Sequence, residues 1–187
     1  MEITPKGIRL DRELSDLDKF AIDFSRIIAR HARYVIVSGY VSILLGRARV
    51  SEDIDMLLPE MDMTKWKKIY SSLTKSGYYC LNAQDAGAAY DYLRSGIAVR
   101  FAPDGIVIPN MEILFAPDKV QKLALATRIP AFVGKEKIFV SDLELQIAYK
   151  ERVLKSPKDM EDARHLRLLL GNGINKLKLN KYERALK

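Results

Sequence analysis

Between Val35 and Leu58 an apolar run is cut at Ser38-Gly39, and a second apolar run opens with Asp53-Ile54-Asp55. No other stretch narrows the choice of fold as much. Successive side chains of a strand point to opposite faces, so Asp53 and Asp55 share one face, roughly 7 Å apart along the backbone. Two like charges on a strand that continues as Met56-Leu57-Leu58 repel each other and are costly to desolvate. A positive partner belongs beside them, and a divalent cation is the simplest. Upstream, Gly39 lets the backbone pass close to a ligand where strand turns into helix. A helix N-terminus there offers free N–H groups to phosphate.

The other periodicities predict an α/β (α+β) fold: a small mixed sheet with flanking helices over residues 1–140, then a C-terminal helical part over 141–187. Strands are expected at 34–38, 53–58, 97–101, 106–108, 111–115 and 137–140. Amphipathic helices are expected from Asp16, with Ser15 as N-cap, to about residue 31, and at 62–75, 118–126, 142–154, 158–170 and 174–186. A short helix should follow Gly39. Ser156-Pro157 is a good helix start. Residues 78–95 lack a clear period and read as a loop or short helix lying over the site.

Thirty-one Lys and Arg against 24 Asp and Glu leave a net charge of +7, which suits polyanionic partners or simply a soluble surface. No apolar run nears the ~20 residues of a membrane span, and the N-terminus lacks a signal-peptide core, so a cytoplasmic protein without membrane contact is expected. Cys80, the single cysteine, has no internal disulfide partner. It reads as inert, and His31 and His165 as structural. The basic tail 172–187 reads as a solvated helix face, with RNA contact as the alternative.

Two carboxylates aimed at one spot, plus phosphate oxygens, are the usual ligands of Mg²⁺. A third acid on a neighbouring strand lets a second metal bind and activate an incoming hydroxyl. Glu112 fits, lying opposite the stripe of Met111, Ile113 and Phe115, whereas Asp104 sits in a Pro-Asp-Gly turn.

Gly39-Tyr40 followed by Arg49-Val50-Ser51-Glu52-Asp53-Ile54-Asp55 resembles the nucleotidyltransferase superfamily related to DNA polymerase beta. The closest likeness is to AbiEii-type toxin nucleotidyltransferases. It covers about residues 34–115, and extends more loosely to Lys150 and Lys158-Asp159…Asp162. The resemblance implies two Mg²⁺ (or Mn²⁺) ions on Asp53, Asp55 and Glu112 as catalytic and metal residues. It places the triphosphate of ATP or another NTP at Gly39 and the following helix. Arg49 and Ser51 would brace the loop or touch phosphate, and Lys150 would reach it from the helical part. The pattern has Gly or Ser where this chain has Tyr40. The ring would crowd the triphosphate or its hydroxyl would replace the missing one, with Ser38 and Ser42 as substitutes. Asp159 and Asp162 read as cap and i,i+4 partners.

The expected activity is transfer of a nucleoside monophosphate from an NTP to a hydroxyl of RNA such as tRNA, of a protein or of a small molecule, with a cognate antitoxin as partner. Two alternatives stand beside it: a catalytically degenerate nucleotide- or partner-binding protein, and a basic RNA-binding module.

Overall fold

A computed structural model of the chain describes residues 1–4 and 7–186. Among the described residues nine strands form one mixed sheet: β1 (Glu2–Thr4), β2 (Gly7–Leu10), β3 (Val35–Val37), β4 (Asp53–Leu58), β5 (Tyr78–Cys80), β6 (Val99–Pro103), β7 (Asn110–Phe115), β8 (Ile129–Val133) and β9 (Glu136–Val140). Their order is β1-β2-β8-β9-β3-β4-β7-β6-β5. The pairs β2–β8, β9–β3 and β4–β7 are parallel, and the remaining neighbours are antiparallel.

The sheet is mixed, as the sequence pattern predicts, but larger. The strands β1, β2, β5 and β8 are too short or, at Pro130, too unlike a strand to carry a period of their own. The run 106–108 is no strand. Ile106, Val107 and Ile108 are exposed in the connection to β7 and pair with nothing in the sheet.

The described residues also form eight α-helices that flank the sheet: α1 (Asp16–Ala29), α2 (Gly39–Leu44), α3 (Met63–Lys75), α4 (Ala86–Arg94), α5 (Lys119–Thr127), α6 (Leu143–Tyr149), α7 (Pro157–Leu170) and α8 (Lys176–Ala185). Ser15 caps α1 in a reciprocal capping box with Asp18, and Ser156 caps α7 with Pro157 in its first turn. The segment expected as one helix from 142 to 154 is α6 followed by a π-helical turn, Lys150–Leu154.

The period-2 alternation of β4 separates two chemistries. Ile54, Met56 and Leu58 are fully buried on one face, in register with Met111, Ile113 and Phe115 of β7. Trp66 of α3 packs edge-on against Phe101 and Phe115 there. The helix α4 lies on this same face, with Tyr90 against Phe115 and the Trp66 indole donating to the Ala86 carbonyl at 3.0 Å. Residues 78–95 therefore do not lie over the acids, contrary to the sequence expectation, because Ala89 and Leu93 make α4 a core helix of the opposite side. One apolar cluster runs from Ile8 to Tyr182 and takes in Leu166 and Leu179 of the last helices.

Candidate active site

The second face of β4 carries Asp53, Asp55 and Leu57. Parallel pairing with β7 sets Asp53 beside Asn110, Asp55 beside Glu112 and Leu57 beside Leu114. On the other flank Val37 of β3 opposes Asp55. Sheet register thus places Glu112, distant in the chain, on the face that Asp53 and Asp55 already share. Ser51 adds a hydroxyl that donates to the Asp53 carbonyl at 3.0 Å, with the Asp53 carboxylate 3.4 Å away.

Burial pushes the Asp55 carboxyl up to about 6, and the negative charges of Asp53 and Glu112 push the same way; the Ser38 hydroxyl and the Lys150 ammonium oppose them. Ser38 itself is held at φ 63°, a left-handed conformation unusual for a non-glycine residue, at the junction of β3 and α2.

The acids and the buried, unpartnered Asn110 Oδ1 offer only oxygen donors, the ligand chemistry that a hard divalent cation takes. They are not drawn together: among the described residues no group of three His, Cys, Asp or Glu side chains stands ready to hold a metal. Glu112 is turned to Arg100 on β6, whose Nε donates to it at 2.5 Å.

Gly39 opens α2, and Arg49 folds back over it from the α2–β4 loop. A Cβ at Gly39 would lie 2.9 Å from the Arg49 guanidinium carbon. Because that atom ends a flexible side chain, Gly39→Ala is expected to displace Arg49 while costing only about 1 kcal/mol, read from the denaturant midpoint. Arg49 also donates to Asp162 of α7 at 2.7 Å, as does Lys150 at 2.8 Å, and Arg47 pairs with the other Asp162 oxygen. Lys150 further donates to Asp159 at 3.1 Å.

Several sequence expectations change here. Asp162 is fully buried and joins three cations from outside α7, Arg47, Arg49 and Lys150, in place of the expected i,i+4 partner. Lys150 is sealed at 0% exposure between two aspartates, not extended towards a triphosphate. Tyr40 is also buried and donates its hydroxyl to Asp18 at 2.8 Å, within a cluster completed by Arg12 at 2.6 Å. Its ring neither crowds a ligand at Gly39 nor replaces a missing hydroxyl. Ser42 lies fully buried on α2 with no hydrogen-bond partner, closed to a nucleotide.

Arg47, Arg100 and Asn110 escaped the sequence reading. Each gains its place through a partner distant in the chain, and only the Lys-Asp-x-x-Asp spacing hinted at Asp162. His31 contacts the Ser72 hydroxyl at 2.9 Å and His165 the Leu45 carbonyl at 3.1 Å. Burial raises the Cys80 thiol above its ordinary value.

Beside Asp55 the carboxylate face continues into a cavity of about 300 Å³ between the sheet, α5 and α6. Leu57 and Leu114 form its floor, Val120 and Ala124 one wall, and Leu145 and Tyr149 another.

No helix among the described residues is long and apolar enough to cross a membrane. No family model matches the chain, and no curated protein matches it closely. Solved structures do. The crystal structure of ANT(2'')-Ia in complex with adenylyl-2''-tobramycin superposes with a TM-score of 0.55 at 14% identity, covering 92% of this chain and 97% of the other. An antigenic nucleotidyltransferase-like protein from Paracoccidioides brasiliensis matches at 0.51 and 16% identity over 89% and 92%. The solution structure of the antibiotic-resistance factor ANT(2'')-Ia matches at 0.51 and 14% identity over 90% and 91%. At these identities the likeness is one of architecture: the chain has the fold of the nucleotidyltransferases.

Proposed function

We propose that the protein is a nucleotidyltransferase that moves a nucleoside monophosphate from an NTP to a hydroxyl acceptor. The observation that carries this reading is the placement of Asp55 and Glu112 side by side on parallel strands, with Asp53 on the same face and the Gly39 turn at its edge. Asp53, Asp55 and Glu112 would hold Mg²⁺, or Mn²⁺, which when bound supplies neutralisation of the phosphate charge. Gly39 lets the Arg49 guanidinium lie directly against the start of α2, where it would meet a phosphate as a cation. Asp162 keeps that guanidinium in place. Catalysis would then rest on positioning and charge complementarity.

RNA is the acceptor class the surface favours. Two adjoining concave faces, along α3 and at the end of α1, have seven cations in their lining, Arg30, Arg33, Lys65, Lys67, Lys68, Lys75 and Arg128, and no carboxylate. Among the described residues none of these seven makes an ion pair. Changing Lys67, Lys68 and Lys75 together to Glu should weaken binding of single-stranded RNA at least about tenfold and flatten its salt dependence. Changing the exposed Lys176 and Lys181 of α8 to Glu should change it less.

The Arg49-to-Asp55 string keeps AbiEii-type toxins as the nearest functional type, with a protein hydroxyl as the second acceptor class and a cognate antitoxin as partner. The Glu112–Arg100 pair favours one rival, nucleotide binding without transfer. Incubation with each labelled NTP, Mg²⁺ and cellular RNA and protein separates the two. Label appearing in a macromolecule supports transfer, and nucleotide binding without any label supports the rival.

A further inference from the structure

The hollow at the end of α1 holds a guanidinium with no anion to answer it. Arg128, at the junction of α5 and β8, donates through Nη1 to the Tyr34 carbonyl at 2.6 Å, and its guanidinium carbon lies 4.0 Å from the centroid of the Phe139 ring. Carbonyl and aromatic face together fix the fork in place. An arginine has five N–H donors. Among the described residues Arg128 makes no other hydrogen bond and no ion pair. Burial, and then the charge of Arg33, hold the guanidinium below its ordinary value. Its surroundings thus disfavour the charge it carries, and a bound anion would reverse that.

The neighbours add cations and no counter-charge. Arg30, Arg33 and Lys65, all exposed, line the same hollow of about 370 Å³, with His31 beside them. His31 also borders the hollow along α3, which holds Lys67, Lys68 and Lys75. The positive lining therefore continues from Arg128 past the end of α1 to the last turn of α3. A small anion would use one point of this run, whereas a chain of phosphates uses all of it. The run also lies away from the carboxylates. Val35 pairs with Leu57, four residues and roughly 13 Å along β4 from Asp53, and Tyr34 lies beyond it. The helix α3 packs on the opposite, apolar face of the sheet.

We propose that this hollow is a phosphate site separate from the carboxylates, in which Arg128 anchors the backbone of single-stranded RNA through a bidentate contact. It deepens the RNA reading of the surface and does not depend on nucleotidyl transfer. Because Tyr34 and Phe139 already hold the fork, little side-chain freedom is lost when a phosphate docks, and two parallel N–H donors match its oxygens. The exposed lysines and arginines along the run contribute charge without that geometry.

The test is binding of labelled single-stranded RNA, followed by fluorescence anisotropy over a salt series in EDTA, which keeps divalent cations off the carboxylates. Arg128→Lys keeps the charge and loses the fork, so affinity should fall at least about fivefold while the salt slope stays the same. Lys67→Gln, along the run, should cost less and lower the slope by about 0.7. Circular dichroism melting confirms that Arg128→Lys is folded. If it is not, Arg33→Gln, at an exposed residue of the same hollow, should weaken RNA binding and lower the slope, and unchanged binding there would overturn the site. Native affinity in a folded Arg128→Lys variant would overturn the anchor. Displacement of the RNA by inorganic tripolyphosphate at equal phosphate concentration would overturn RNA as the occupant, and displacement by ATP with Mg²⁺ would overturn the separation from the carboxylates. Failure of the native protein to bind RNA would overturn this site and the RNA acceptor together, leaving nucleotidyl transfer itself standing.

Discussion

Replacing Asp53 by Asn is expected to abolish nucleotidyl transfer, by at least about 10²-fold, while the protein stays folded. Asp53 opens β4 on the carboxylate face, and a neutral amide there removes the charge that attracts the cation without changing side-chain size. Circular dichroism should be unaltered, and label transfer from an NTP is the readout. Full activity in this variant would overturn the proposed mechanism. Asp55→Asn should lose activity to a similar extent and add a second signature. In the metal-free protein the folded-state carboxyl sits at about 6 against an ordinary 3.8, chiefly through burial. Ionising it in the folded state is therefore unfavourable. The penalty is absent below about pH 4, grows between 4 and 6, and reaches about 3 kcal/mol above that. Asp55→Asn removes it, so the variant should unfold at higher denaturant than the native protein at pH 8 and at nearly the same concentration at pH 4.

The second large effect concerns Asp162. Its carboxylate is fully buried and holds Lys150, Arg49 and Arg47. Asp162→Ala leaves the buried Lys150 ammonium with Asp159 alone, and removing one partner of a buried ion pair typically costs about 3–5 kcal/mol. Chemical denaturation should show that loss. A combined Asp162→Leu, Lys150→Met variant should recover much of it, since a well-packed apolar pair avoids the uncompensated charge. Arg49, released from α7, should lose its place over Gly39, so NTP affinity falls in the single and double variants alike. Stability and affinity thus separate, and a double variant that regained NTP affinity would argue against Asp162 as the positioning residue.

The helix starts were legible from local chemistry. Ser15 with Asp18, and Ser156 with Pro157, satisfy their own backbone donors within one turn, so sequence spacing alone identifies them. The two faces of β4 were legible for a similar reason, since a period of two is a property of the strand itself. Helix α4 was misjudged because its apolar positions are few and its docking face is set by Trp66 and Phe115, which lie elsewhere in the chain.

The polar clusters were hardest to read. Tyr40 sits next to Gly39 in sequence, yet a helix turns successive residues about 100° apart, and its ring points to Asp18 and Arg12. Glu112 was recognisable as an acid on the right face, but its bond to Arg100 depends on the register of β6 against β7. That two carboxylates share one strand face behind a glycine turn follows from residue order, because strand period and glycine's small size are local properties. Which groups meet them depends on how distant segments pack. The β4–β7 register brings up Glu112, and α7 brings Asp162 to Arg49, because such contacts are made by packing between segments that no sequence interval relates.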